Sequence, residues 1–221
     1  MSELVIFDLD NTLIKGQSQK ILLDYAFKKR LISPLFYIKT LIWFLFYHLG
    51  LVKDPRKIME YVFGFLEGKD INKFENIIDD CFEKKLKKCI FREAIKIFRE
   101  HVNLNREILI ISNAIELIPR KFAKFLGAKY FIGTKFEKKD SNFTGKIEGD
   151  IIYGRNKVDA LRKFIKRNNL SLTSSWAYSD HETDIPLLVM VTHPFAVNPD
   201  RGLYKKAKKK RWPILKFKEL I

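Results

Sequence analysis

Two acidic residues stand two apart in Phe7-Asp8-Leu9-Asp10-Asn11-Thr12-Leu13, directly after the apolar run Leu4-Val5-Ile6-Phe7. One carboxylate so placed can act as nucleophile and metal ligand, while the other, in a different environment, exchanges a proton with a leaving group. A turn cap would account for Asp8 but not for Asp10. A second acidic pair, Asp180 and Asp184, is spaced i, i+4 in Ser179-Asp180-His181-Glu182-Thr183-Asp184. It suits a Mg²⁺ ligand and a partner that orients it. Hard carboxylate oxygens without Cys or His point to Mg²⁺ over zinc, and carboxylates gathered in one place repel one another unless a cation lies among them. His181, beside the expected ligand, reads as an exposed loop histidine.

The elements that must position these groups follow from three apolar runs with one pattern. Leu4 to Phe7 precedes Asp8, Ile108 to Ile111 precedes Ser112, and Trp176 to Ser179 precedes Asp180. Such runs fit parallel strands covered on both faces, with helical patterns between the second and third, as in a Rossmann-like, doubly wound α/β sheet. Ligands bind at the carboxyl ends of such strands, so Asp8, Ser112 and Asp180 are expected to converge. Residues 15–105 read as helix almost throughout, with Ser33-Pro34 as cap and first turn and helical spacing over residues 91–100. This predicts a core of residues 1–14 and 106–221 with an all-helical cap, 15–105, inserted between. Further expectations are a helix over 115–126 ended by Gly127, a β-hairpin over 131–149 turning near Asp140-Ser141, and a helix over 156–167. His193-Pro194 and Asn198-Pro199 are expected to shape a turn.

The ordered set formed by Asp8-x-Asp10-x-Thr12, Ser112 after a second strand, Lys157 entering a helix, and Asp180 with Asp184 resembles the four motifs of the haloacid dehalogenase superfamily. The resemblance spans about residues 4–200, and a cap between motifs one and two is similar to the phosphoserine-phosphatase-like branch. It implies that Asp8 attacks phosphorus to give an aspartyl-phosphate, and that Asp10 protonates the leaving oxygen and later activates water. It also implies that Ser112, the N–H of Asn113 and Lys157 hold the phosphoryl oxygens. Mg²⁺ would lie with the Asp8 carboxylate, the Asp10 carbonyl and Asp180, with Asp184 orienting the shell. The second acid, Asp10, favours phosphoester hydrolysis over dehalogenation. In phosphoserine phosphatases an acidic residue nine positions after the nucleophile receives the substrate ammonium. Here that position is Gln17, which cannot form the ion pair.

With 221 residues, 47% of them apolar, and 10 Gly and 7 Pro, the chain is a folded globular protein and not a disordered or collagen-like one. Cys81 and Cys89 lack metal-site spacing and read as free thiols of a reducing cytosol. The start MSELVIFDLD lacks a basic n-region, which leads to the expectation of a cytoplasmic protein. The net charge of +16 is concentrated in two segments. Residues 15–57 hold nine Lys or Arg against two acids, and residues 201–221 hold nine against one. Charge alone admits an anionic membrane, an anionic substrate or nucleic acid, but no nucleic-acid recognition motif is present. Residues 35–52, LFYIKTLIWFLFYHLGLV, are almost wholly apolar. A single bilayer span there would separate Asp8 from Ser112 and Asp180. The run is therefore buried cap core, an oligomer contact, or an element lying in a membrane interface. Its basic flanks (Lys28-Lys29-Arg30; Lys53, Arg56, Lys57) suit anionic lipid, which would make a lipid or other membrane-associated phosphate a candidate substrate. The alternatives are phosphoserine or another small metabolite phosphate, or a non-enzymatic basic protein that binds membrane or nucleic acid.

Overall fold

A computed structural model of the chain describes residues 3–48 and 55–221. Residues 49–52 of the apolar run and Lys53 lie outside the described residues. The strands are β1 (Leu4–Phe7), β2 (Glu107–Ile115), β3 (Tyr130–Lys139), β4 (Asn142–Glu148), β5 (Ser175–Ser179), β6 (His193–Val197) and β7 (Ile214–Leu215). They form one sheet in the order β4-β3-β2-β1-β5-β6-β7, parallel except for the β3-β4 hairpin. The helices are α1 (Ser18–Lys28), α2 (Pro34–His48), α3 (Pro55–Phe63), α4 (Ile71–Cys81), α5 (Arg92–Asn103), α6 (Leu117–Leu126), α7 (Arg155–Arg167), α8 (Ile185–Leu188) and α9 (Arg201–Lys210).

The unbroken apolar run of β1 reflects burial on both faces of a central strand. Val5, Phe7, Ile108 and Ile110 face Phe98 of α5 and Phe122 of α6. Leu4, Ile6, Leu109 and Ile111 face Val158 and Leu161 of α7 and Leu203 of α9. The fold is thus the expected Rossmann-like doubly wound sheet with a helical insertion between β1 and β2. One helix of that insertion behaves differently from the rest. Over α5 the spacing of Ala94, Phe98 and His101 buries one side against the sheet itself, with the Phe98 and Phe7 rings 5.3 Å apart. The cap-forming helices are tied instead to the hairpin. Arg56 donates to the carbonyls of Ile147 and Gly149 at 2.9 and 2.7 Å, and Phe74 meets Phe143 edge-on at 5.7 Å.

Two expectations are corrected. Strand β2 does not end at Ile111 but runs on to Ile115, with its pairing to β3 shifted after Ile111. The extension is possible because Gly133 brings β3 against residues 114–116, where a Cβ would lie 2.5 Å from the Glu116 Cα. His193-Pro194 opens strand β6 and is not part of a turn. Proline is tolerated there because β7 pairs only with Ala196 and Val197, so the missing N–H falls where no second ladder needs it. The lysine-rich segment 205–210 is helical, in α9, with Asp200 capping its start.

Candidate active site

The backbone carries Asp8 past the end of β1, where its N–H donates to the Tyr178 carbonyl at 2.9 Å and holds it beside β5. The next residues turn back tightly. Asn11 adopts φ 55°, a left-handed conformation that Asn accepts more readily than most residues, and its Oδ1 receives the Gly16 N–H at 3.0 Å. This turn presents Asp10 to the start of α1, where its Oδ1 accepts the Ser18 N–H at 2.8 Å.

Lys157, in the first turn of α7 and 3% exposed, binds the cluster together. Its Nζ donates to Asp8 Oδ1 and Asp184 Oδ2, each at 2.6 Å. Asp184 Oδ2 also accepts from Ser179 Oγ at 2.6 Å. Asp180 is hydrogen-bonded by the Asn11 side chain, and its carbonyl accepts the Asp200 N–H at 2.8 Å. Four carboxylates therefore gather at one site, two of them on the Lys157 ammonium, and their proton affinities reflect the imbalance. Burial pushes Asp8 up to about 6 against the pull of Lys157. Asp10 is raised to about 7, by burial first and the charge of Asp8 second. Asp180 rises to about 8 by burial, then by Asp8 and Asp184. Burial works against the Lys157 ammonium, but Asp184 and Asp8 raise it overall.

Over the cluster lies a cavity of about 250 Å³. Asp8, Asp10, Asn113, Lys157, Asp180 and Asp184 line its floor; Ile58, Met59 and Val62 of α3 form an apolar wall; Gln17, Gln19 and Lys20 edge it at the start of α1. Ser112 is placed differently. It is buried outside the lining, and its Oγ accepts the Ala114 N–H at 3.1 Å, which leaves its own proton to donate. Gln17 is exposed at the cavity edge. Among the described residues, the four floor carboxylates are the only acidic side chains that line the cavity. His181 is exposed, as expected, with its Nδ1 accepting the Thr183 N–H at 3.2 Å.

The donor set suits a hard divalent cation. Among the described residues no three His, Cys, Asp or Glu side chains form a ready-made metal cluster. Mg²⁺ needs only one or two carboxylates, completing its shell with water and phosphate oxygens. Asp8 and Asp180 line the cavity and could supply those carboxylates, while the Asp184 carboxylate is turned to Lys157 and Ser179.

Some contributors escaped the sequence reading. Asn11 could have been suspected from its place directly after the acidic pair. Asp200, which caps α9 and bonds to the Glu182 N–H at 3.1 Å, gives no local signal, because it meets the Asp180 loop only in the fold. The wall from α3 was likewise invisible, since its buried residues read as ordinary core.

Comparison with known proteins gives the family and the fold. The model of the haloacid dehalogenase-like hydrolases matches residues 5–189. A probable phosphatase of Mycobacterium tuberculosis is 30% identical over 96% of this chain and 74% of its own length. A histidinol-phosphatase of Neisseria meningitidis is 29% identical over 99% of this chain and all of its own. In fold, the chain superposes on a Bordetella pertussis protein of unknown function with a TM-score of 0.90, at 24% identity and covering 97% of this chain and 98% of that one. It superposes on a substrate-bound phosphoserine phosphatase with a TM-score of 0.69, at 18% identity and covering 97% and 93%. The chain therefore belongs to the haloacid dehalogenase-like hydrolase family, is a phosphatase of that family, and resembles its phosphoserine phosphatases in sequence and fold.

Proposed function

We propose that the enzyme hydrolyses a phosphomonoester through an aspartyl-phosphate on Asp8. The observation that carries this reading is the Asp8 carboxylate at the open end of the central strand, with the Lys157 ammonium 2.6 Å from its Oδ1 and a second raised carboxyl two residues on. An Asp8 oxygen bonds to phosphorus as the ester P–O bond breaks, and Asp10 gives its proton to the departing oxygen. Asp10, now ionised, takes a proton from water. That water oxygen bonds to phosphorus, the P–O bond to Asp8 breaks, and phosphate leaves. Lys157, the Asn113 N–H and the Ser112 hydroxyl serve the phosphoryl oxygens. Asp8, Asp180 and the Asp10 carbonyl would hold Mg²⁺, with Asp184 orienting the set, and the ion would supply positive charge against those oxygens.

The cavity also limits the substrate. An ammonium on the leaving group would need an acid outside the floor, yet that edge offers Gln17, Gln19 and Lys20. The leaving group proposed here carries no ammonium and lays an apolar part against Ile58, Met59 and Val62. Phosphorylated lipids in vesicles and soluble phosphomonoesters without an amine both belong to this class. A screen with Mg²⁺ covering phosphoserine, histidinol phosphate, sugar phosphates and vesicle-borne lipid phosphates tests it. The highest kcat/KM is expected on a substrate without an amine, and a preference for phosphoserine or histidinol phosphate would overturn the substrate class.

A further inference from the structure

Helix α2 has two unlike faces. Inward, Thr40 is fully buried and donates to the Phe36 carbonyl at 2.9 Å, Phe36 stacks with Tyr61 at 5.8 Å, Trp43 meets Tyr61 at 5.4 Å, and Tyr37 stacks on Phe27 at 4.2 Å. Phe36, Tyr37 and Trp43 are thus taken up by packing within the cap. Outward, Leu35, Ile38, Ile42 and Leu45 are exposed, with exposed Leu31 just before the helix and Phe46 beside them. Their steps of three and four residues place Leu35, Ile38, Ile42 and Leu45 on one helical stripe. Leu35 is 63% exposed, Leu45 55% and Ile38 54%. Side chains this apolar, exposed in a row, mark a surface that another phase or partner covers.

Charge selects the occupant. Helix α2 contains no Asp or Glu, and Lys28, Lys29, Arg30 and Lys39 are exposed at the start of the stripe or along the helix. The nearby acids are already engaged, Asp24 by Lys20 and Tyr37, and Asp80 by Lys29, Lys84 and Tyr25. A second copy would bring its own basic rim toward this one, whereas an anionic lipid surface offers the opposite charge around an apolar interior. Among the described residues no helix is long and apolar enough to cross a membrane, so contact would be along the helix.

We propose that the outer face of α2 lies in the interface of an anionic membrane, with Leu35, Ile38, Ile42 and Leu45 entering the acyl boundary and Lys28, Arg30 and Lys39 meeting lipid phosphates. This stands apart from the phosphatase reading, since none of these residues lines the cavity. Co-sedimentation of the full chain with vesicles tests it, using phosphatidylcholine alone and phosphatidylcholine with phosphatidylglycerol. Binding is expected to the anionic vesicles, to weaken as salt is raised, and to fall at least about tenfold in the exposed-site double variant Ile38→Ser/Leu45→Ser. Turnover of a water-soluble phosphomonoester should be the same in that variant, which shows that it folds. Conversely, Asp8→Asn should lose turnover and keep vesicle binding, so failure of either reading is seen separately. Equal binding to neutral vesicles, or equal binding by the double variant, would overturn the proposal. So would a concentration-dependent dimer, in analytical ultracentrifugation, that the double variant abolishes while vesicles bind neither form, because a second copy would then cover the stripe.

Discussion

Two polar clusters join distant parts of this chain through β1 and β5, and their charge balance is opposite. Below the active site, Glu3 pairs with Arg106 at 2.6 Å and accepts from Ser174 Oγ at 2.9 Å. Arg106 stacks over Trp176 at 3.8 Å and donates to His101 Nδ1 at 3.0 Å, and His101 Nε2 donates to the Tyr178 hydroxyl at 2.9 Å. One carboxylate meets one guanidinium, and the histidine is neutral because burial first and Arg106 second push it down to about 4. At the strand ends, by contrast, four carboxylates line one cavity with Lys157, which pairs with two of them, Asp8 and Asp184. Buried charge that only holds a fold together is paired, because unpaired buried charge costs stability. An excess of one sign, kept at the open end of a sheet, is what a site awaiting a cation and a phosphoryl group requires.

Substitutions can break or sharpen this contrast. The largest effect is expected from Asp8→Asn, which should lower phosphatase activity by on the order of 10⁴-fold or more. Its circular dichroism and unfolding midpoint should remain those of a folded protein. Next, Lys157→Met leaves the carboxylates without the buried ammonium that pairs with Asp8 and Asp184. In EDTA it should lose about 3–5 kcal/mol of stability in urea unfolding, with Mg²⁺ restoring part of it. Unchanged stability in EDTA would show that the cluster carries no unbalanced charge.

The clusters should also respond to pH in opposite senses. Asp8, Asp10 and Asp180 are raised, so the folded state holds protons that the unfolded state releases. Without divalent cation their contribution to stability is present at low pH and is lost as pH rises from about 4 toward 8. Mg²⁺ should flatten that decline. His101 is lowered, so the unfolded state takes up a proton first. Stability is lost as pH falls from about 6.5 toward 4, by about 3 kcal/mol. His101→Gln can keep both hydrogen bonds without titrating, and urea unfolding across this range should show the acid loss reduced in it. The smallest effect belongs to Arg106→Met, expected to cost about 2 kcal/mol through lost stacking and the lost bond to His101, with kcat unchanged.

Much of this was legible in local pattern. The apolar runs before Asp8 and Asp180 are strands because both faces of β1 and β5 are covered, and Gly127 at φ 83° ends α6 as its position suggested. The hairpin turn at Asp140 and Ser141 was equally readable. What eluded sequence reading depends on neighbours distant in the chain. Pro194 could join β6 only because β7 leaves that end unpaired, and α5 could be separated from the cap only once Phe98 was seen against Phe7. At the site, residue types named Asp8, Asp10, Asp180 and Asp184, but nothing local showed that Asp184 would face Lys157 and Ser179.

The central claim is that phosphate passes through Asp8. The most direct measurement is acid quenching of enzyme turning over a phosphomonoester with Mg²⁺, followed by peptide mass analysis. The predicted result is a phosphoryl group on Asp8, absent in Asp8→Asn together with turnover. Phosphate trapped on a different residue, or full turnover by Asp8→Asn, would contradict it.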